Sequence, residues 1–166
     1  MKNTYPIPRI LKERPLDSRG YVIPYFAPII DGVPDFRFQS ELKRKVCLER
    51  LWCSICGKEL YMKSFWFISG PKGLANQTAS DAPMHEDCAR YSLNVCPHMQ
   101  FEKAERKSED GTYLPDPFFV SEKPQELYLI KADKYQEVKY GQHSYLKFRP
   151  VYTEKYVYAD NKLVKA

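Results

Sequence analysis

Nowhere in this 166-residue chain do 18 apolar residues follow one another, which excludes a conventional membrane-spanning helix. The opening Met1-Lys2-Asn3-Thr4-Tyr5-Pro6 has no apolar stretch of signal-peptide length. A cytoplasmic protein is therefore expected, with no membrane partner. Glycine is scarce, at seven residues, and the Gly70-Pro71-Lys72-Gly73 run lacks the four-residue spacer and Lys-Ser/Thr ending of a phosphate loop. Histidine is scarcer still, at three, and no His-Glu-x-x-His metalloprotease helix can be built from them. In His85-Glu86 the acid is adjacent rather than two residues on, and the Cys-x2-Cys pair precedes the histidine, so the zinc-deaminase pattern is not met. His98 and His143 have no neighbouring motif, Asp31 and Asp35 are explained by turn chemistry, and no internal repeat is visible. A small-molecule substrate is not indicated.

What the chain has is 43% hydrophobic and 14% aromatic residues, enough for a true core in one domain of ordinary size. Thirteen prolines favour short elements and turns. The formal charge of +5 is unevenly placed: residues 1–52 carry net +4, residues 53–100 zero and residues 101–166 net +1. Lys43-Arg44-Lys45 is the densest basic point and reads as a solvated helix face. The sequence pI of about 8.8 falls short of a strong nucleic-acid footprint.

Five cysteines, an odd number in a chain without an export signal, favour metal over disulfides. Cys53-Ser54-Ile55-Cys56-Gly57 presents two thiolates from a tight turn in which glycine permits the unusual dihedral. His85-Glu86-Asp87-Cys88 places an imidazole and a thiolate about one turn apart at a helix start. One structural zinc held by Cys53, Cys56, His85 and Cys88 is expected, since four protein ligands close a tetrahedron and leave no position for water. Cys96 could replace His85 as fourth ligand, and Cys47 could be a spare ligand. Both are otherwise small core residues.

The expected fold is α+β. A treble-clef-like zinc finger of knuckle, hairpin and helix carries the metal, with an N-terminal hairpin and helix before it and a C-terminal antiparallel β unit after it. Residues 1–20 read as an extended N-terminal arm, 21–100 as the zinc-binding core, 101–117 as a polar linker and 118–166 as the β unit. Within the core, Tyr21–Ile30 and Val33–Phe38 flank an Asp31-Gly32 hairpin turn. Ser40 caps a helix to Leu51 whose apolar stripe includes Leu42, Leu48 and Leu51. Leu60–Met62 pairs with Phe65–Ile68 as a hairpin, Lys72 sits in a loop, Asn76–Asp81 is a polar loop, and a helix runs from about Met84 to Val95 until Pro97 stops it. In the C-terminal part, runs at 118–120, 127–130, 137–140, 145–148 and 156–158 are β-prone, with turns at Gly141-Gln142 and Asp160-Asn161.

The ordered set Arg19–Phe26, Asp31–Arg37, Cys53–Gly57, Phe67–Pro71 and Pro83–Ala89 ending in Cys96-Pro97 resembles an uncharacterised family of small proteins from bacteria and their phages. The resemblance covers roughly residues 19–98. It implies zinc and a phage origin, supplies no activity, and singles out Asp35, Phe36 and Arg37 together with Gly70, Pro71 and Asn76. Asp35, Arg37, Lys72 and Asn76 are the candidate surface or pocket contacts, and clamping the N-terminal hairpin onto the finger is their alternative role.

The expected function is a zinc-stabilised, non-enzymatic interaction protein, a phage or prophage accessory component whose partner is protein or nucleic acid. It would work through the basic 37–50 segment or the Tyr-rich C-terminal surface, where Tyr135, Tyr140, Tyr145, Lys147 and Phe148 interleave. The alternative is a hydrolase or nuclease on a treble-clef scaffold, using His98 or Asp35 with Arg37. A structural component of a larger particle is the third.

Overall fold

The computed structural model describes residues 2–36, 39–100 and 124–166, with the His98 side chain left aside. Arg37, Phe38, the 101–117 linker and the 118–120 run lie outside the described residues. The chain is mixed α+β. In order come β1 (Ile29–Ile30), β2 (Val33–Pro34), α1 (Glu41–Arg50), β3 (Phe65–Ser69), α2 (Pro71–Asn76), β4 (Thr78–Ala79) and α3 (Glu86–Val95). They are followed by α4 (Pro97–Gln100), β5 (Glu126–Tyr140), β6 (His143–Ala159) and β7 (Lys162–Lys165). Among the described residues no helix is long and apolar enough to cross a membrane.

The N-terminal arm is irregular, as its prolines dictate, but it is anchored rather than loose. Leu11 ends a single 3-10 turn, Arg9–Leu11, with no exposed surface. The Asp17 carboxylate accepts from the backbone N–H groups of Arg19 and Tyr21, closing a turn. Asn3 and Val22 each reach the Tyr91 hydroxyl on α3, at 3.3 Å. The expected strand from Tyr21 to Ile30 shrinks to two residues. Pro24 and Pro28 lack the donors a ladder requires, and Tyr25 and Phe26 donate instead to Ile55 O and Ser54 O, at 2.8 and 2.9 Å.

Ser40 caps α1 as expected, accepting from the Lys43 N–H at 3.4 Å. The expected stripe is overturned in part: Leu42 is 73% exposed, whereas Leu48 packs against the core, and the face turned inward also carries Arg44 and, as expected, Cys47. Nor is the basic run a solvated face. Arg44 is buried, with donors on Ser80 O at 2.8 Å and Ser144 Oγ at 2.7 Å, while Lys43 Nζ donates to Ala27 O at 2.7 Å. A guanidinium that fills several acceptors at once can be buried where a lone ammonium could not.

One sheet has strand order β3-β5-β6-β4, with β7 on the far part of β6. The hairpin expected between 60–62 and 65–68 does not form. Leu60 is buried and donates to Leu51 O at 2.7 Å, while β3 pairs with β5 from Phe65↔Ala132 to Ser69↔Tyr128. The polar stretch after Asn76 is likewise a strand, since β4 pairs Thr78↔Lys147 and Ala79↔Leu146. β5 and β6 thus complete a sheet begun by β3, in the half that carries Cys53, Cys56, His85 and Cys88. The separate short C-terminal runs are merged into strands of 15 and 17 residues, joined by the expected turn at Gly141.

A register shift near Lys131–Lys134, opposite Pro150, bends this ribbon. Proline has no ladder donor and belongs at such a bulge. Below the bend, Leu129, Glu154 and Trp66 face α3. Above it, Tyr135, Phe148 and Leu146 turn the other way, and Phe67 stacks on Phe148 at 5.0 Å. Α1 reaches that second face through Arg44 and Ser144.

Candidate metal centre

The Cys53–Gly57 turn is held by two backbone bonds, Cys53 N–H to Lys58 O at 2.7 Å and Gly57 N–H to Cys53 O at 2.8 Å. Gly57 takes φ +71°, and a Cβ there would stand 3.1 Å from the Tyr25 ring, so both conformation and space require glycine. Trp52 and Glu59 bridge across the base of the turn. The second half is carried in by Trp66, whose backbone exchanges hydrogen bonds with Met84 at 3.0 and 2.9 Å. His85 is the N-cap residue of α3 and Cys88 lies in its first turn. Buried Ser54 ties the two halves together, its N–H and hydroxyl donating to Pro83 O and Ala82 O, both at 3.1 Å.

These elements bring Cys53, Cys56, His85 and Cys88 into one buried group, with their ligand atoms all within 4.8 Å of one another. The four form a set that could hold a metal ion. His85 Nε2 lies 2.8 Å from Glu59 O. A carbonyl only accepts, so Nε2 carries a proton and Nδ1, 3.3 Å from Cys56 Sγ, is the ring nitrogen that would face a metal once it gives up its own. Tyr61 covers the ring at a centroid distance of 4.8 Å. The backbone N–H groups of Ile55 and His85 point at Cys53 Sγ and that of Lys58 at Cys56 Sγ, each at 3.4 Å. Such donors favour thiolate over thiol.

The protein alone already separates the protons of this group. Hydrogen bonds from Cys53 and then Cys88 hold the Cys56 thiol far below its usual range. The reciprocal bonds to Cys53 and Cys56 keep Cys88 protonated. Burial works against the charge on His85, but the Cys53 and Cys56 sulfurs outweigh it and push its pKa up to about 10. A cation entering the group would displace these protons, which makes binding weaker in acid.

Cys47 and Cys96 are outside the group. Cys47 is fully buried, and burial foremost pushes its thiol up to about 12, which suits a core residue. Cys96 caps the far end of α3, eight residues beyond Cys88 and so about 12 Å along the helix.

The other expected contacts do not join the group. The groove beside it is bordered by Arg9, Lys12, Lys58, Tyr61, Glu86 and Asp87, and by none of Asp35, Lys72 or Asn76. Asp35 follows β2, where its N–H donates to Pro28 O at 2.9 Å. Lys72 and Asn76 are exposed on α2, a helix where a loop was expected. Pro71 opens that helix, where its missing N–H costs nothing. A Cβ at Gly73 would collide with Ser69 Oγ and fall 2.9 Å from Thr78 O, so the glycine serves the close approach of α2 to β3 and β4.

Sequence reasoning passed over a second polar cluster, in which Glu154 is buried among Arg90, Tyr152 and Tyr156. The Tyr-x-Glu-x-Tyr alternation on β6 was its one signal, because residues two apart on a strand share a face. No family model, curated protein or solved structure matches this chain.

Proposed function

We infer that this chain is a zinc-stabilised interaction protein in which the metal has a structural rather than a catalytic role. The observation that carries the inference is the closed donor set: three thiol sulfurs and one imidazole nitrogen, all buried, within 4.8 Å of one another. Sulfur-rich tetrahedra suit zinc, and four protein ligands leave no place for water or substrate. The backbone donors on Cys53 and Cys56 and the Glu59 carbonyl on His85 are the outer partners such a site needs.

A treble-clef arrangement is part of the same proposal. Its support is the order of parts: a Cys-x2-Cys-Gly knuckle, a β-bridge between Trp66 and Met84, then a helix carrying the second ligand pair. A reducing, cytoplasmic setting is supported by five cysteines of which none is bridged. Origin in a phage or prophage rests on the motif resemblance alone.

Metal analysis of protein purified without added metal, followed by chelation under circular dichroism, tests the inference. One zinc per chain, lost together with the fold, is the expected result. Substoichiometric metal, or an unchanged fold after chelation, would overturn the structural role. An exchangeable water on the bound metal would favour hydrolase chemistry instead.

A further inference from the structure

We propose that the outer half of the β5–β6 ribbon is a binding surface for single-stranded nucleic acid. The proposal rests on the interaction-protein reading and supplies its partner class. Above the bend, one ribbon face is spent on the interior: Tyr135 and Phe148 pack with Phe65 and Phe67, and Ser144 is bonded to Arg44. The opposite face carries four successive cross-strand pairs, Lys134↔Arg149, Gln136↔Lys147, Val138↔Tyr145 and Tyr140↔His143. Lys134, Gln136, Tyr140, His143, Lys147 and Arg149 are all exposed, and Tyr145 is half-buried.

Two features of this face specify a polyanion with bases. The first is charge. Lys134 stands directly opposite Arg149, with Lys147 one pair further on, and like charges in that register destabilise a ribbon. Asp133, at the bulge, pairs with Arg149. The Asp133 carboxylate also feels the Lys134 charge, so one acid offsets part of three crowded cations. The cost of crowding these cations is recovered when phosphates lie across them. The second feature is aromatic: Tyr145, half-buried, and Tyr140, 66% exposed, continue the same face beyond the cations. Basic side chains followed by rings on one face form a platform on which a strand runs its backbone over the charges and stacks its bases, here on the exposed part of Tyr145. A duplex keeps its bases stacked on each other and cannot use those rings.

The fold also corrects which aromatics could serve. Of the interleaved set Tyr135, Tyr140, Tyr145, Lys147 and Phe148, the structure sends Tyr135 and Phe148 inward and leaves Tyr140, Tyr145 and Lys147 on the outer face.

The test uses the full chain as purified and fluorescent oligo-dT and oligo-U of about 15 nucleotides. A duplex of equal length and heparin serve as comparisons. Single strands are expected to bind with a log-affinity against log-salt slope of about −1.4, as for two neutralised phosphates, Arg149 being paired with Asp133. The double variant Lys134→Gln/Lys147→Gln should weaken binding about tenfold and flatten the slope to about zero. Tyr145→Ala should weaken single strands at least about fivefold without affecting heparin. Circular dichroism and metal content are read on every variant, and Lys147→Gln alone stands in should the double variant misfold. Absence of single-strand binding by folded protein overturns the proposal. So does binding that the lysine variants leave unchanged, preference for duplex, or heparin competing equally with no Tyr145 effect. An acidic protein partner would then be the remaining occupant. None of these results bears on zinc, which metal analysis decides separately.

Discussion

Arg90 on α3 grips Glu154 on β6 with both terminal guanidinium nitrogens, at 2.9 and 2.7 Å. Glu154 is 6% exposed, and the hydroxyls of Tyr152 and Tyr156, at 2.7 and 2.8 Å, and the Lys165 ammonium, at 3.4 Å, join its shell. The pair joins the helix that carries Cys88 to the sheet, and one hydrophobic cluster runs from Cys53 and Cys88 to Leu129 and Phe148, so the Cys/His half and the C-terminal ribbon share a core.

That pair gives the protein an acid limit. The Arg90 guanidinium, ahead of the two tyrosine hydroxyls, holds the Glu154 carboxyl far below the usual carboxylate range. A depressed carboxylate contributes stability that is present above its unfolded pKa, about 4.3, and is lost as pH falls toward the folded value. Melting temperature should therefore fall below about pH 4 in the wild type and fall less steeply there in Glu154→Gln. At neutral pH Arg90→Ala, which removes the two-pronged partner of a buried carboxylate and leaves it only Lys165 and the tyrosines, should cost about 3 kcal/mol. Denaturant titration checks this, and a cost within about 0.5 kcal/mol of zero would show that Lys165 and the tyrosines suffice.

Removing one thiolate should do more than removing the ion pair. Structural zinc contributes roughly 10–16 kcal/mol of apparent binding energy in small finger peptides at neutral pH. Cys53→Ser and Cys88→Ser are expected to abolish stoichiometric metal in native mass spectrometry and to remove the cooperative unfolding transition. Cys96→Ser should keep both, because Cys96 lies at the other end of α3. Metal loss in Cys96→Ser would place that thiol in the site.

Leu11 should behave as a core residue although it lies in the N-terminal arm. Its side chain has no exposed surface and belongs to the cluster that contains Cys53, Cys88 and Leu93. Leu11→Ala is expected to cost about 2–5 kcal/mol, the range for a fully buried leucine. Chemical unfolding measures it directly, and a cost under about 1 kcal/mol would mean that the arm detaches without loss.

Arg44 should not tolerate lysine. Its Nε and Nη1 serve Ser80 O and Ser144 Oγ at once, at 2.8 and 2.7 Å. One ammonium cannot reproduce the fork, and a buried acceptor left unpaired costs about 1–3 kcal/mol. Arg44→Lys should lose stability on that scale, whereas Lys45→Ala, at an exposed ion pair with Glu49, should be nearly silent.

The ligand set was legible in the sequence because its chemistry is local. Cys53 and Cys56 share one tight turn and His85 and Cys88 share one helix start, so each pair is readable by itself, while the Trp66–Met84 bridge and Ser54 bring the two pairs together. The cap at Ser40, the Asp31-Gly32, Gly141 and Asp160-Asn161 turns and the stop before Pro97 were legible for the same reason, since each depends on the dihedrals of a few adjacent residues.

What the tertiary structure decided is which distant surfaces meet. Phe65–Ile68 has the same β-prone texture whether it pairs with Leu60–Met62 or with β5, and only the longer apolar ladder of Leu127–Ala132 settles the choice. Lys43-Arg44-Lys45 is uniformly basic in sequence, yet Ser80 and Ser144, both remote in the chain, draw Arg44 alone into the interior. The bend at Pro150 then sends Tyr135 inward and leaves Tyr145 outward, a division that strand alternation without the bulge could not foresee. Local stereochemistry wrote the two Cys/His pairs into the sequence; burial, which depends on every partner at once, assigned the faces.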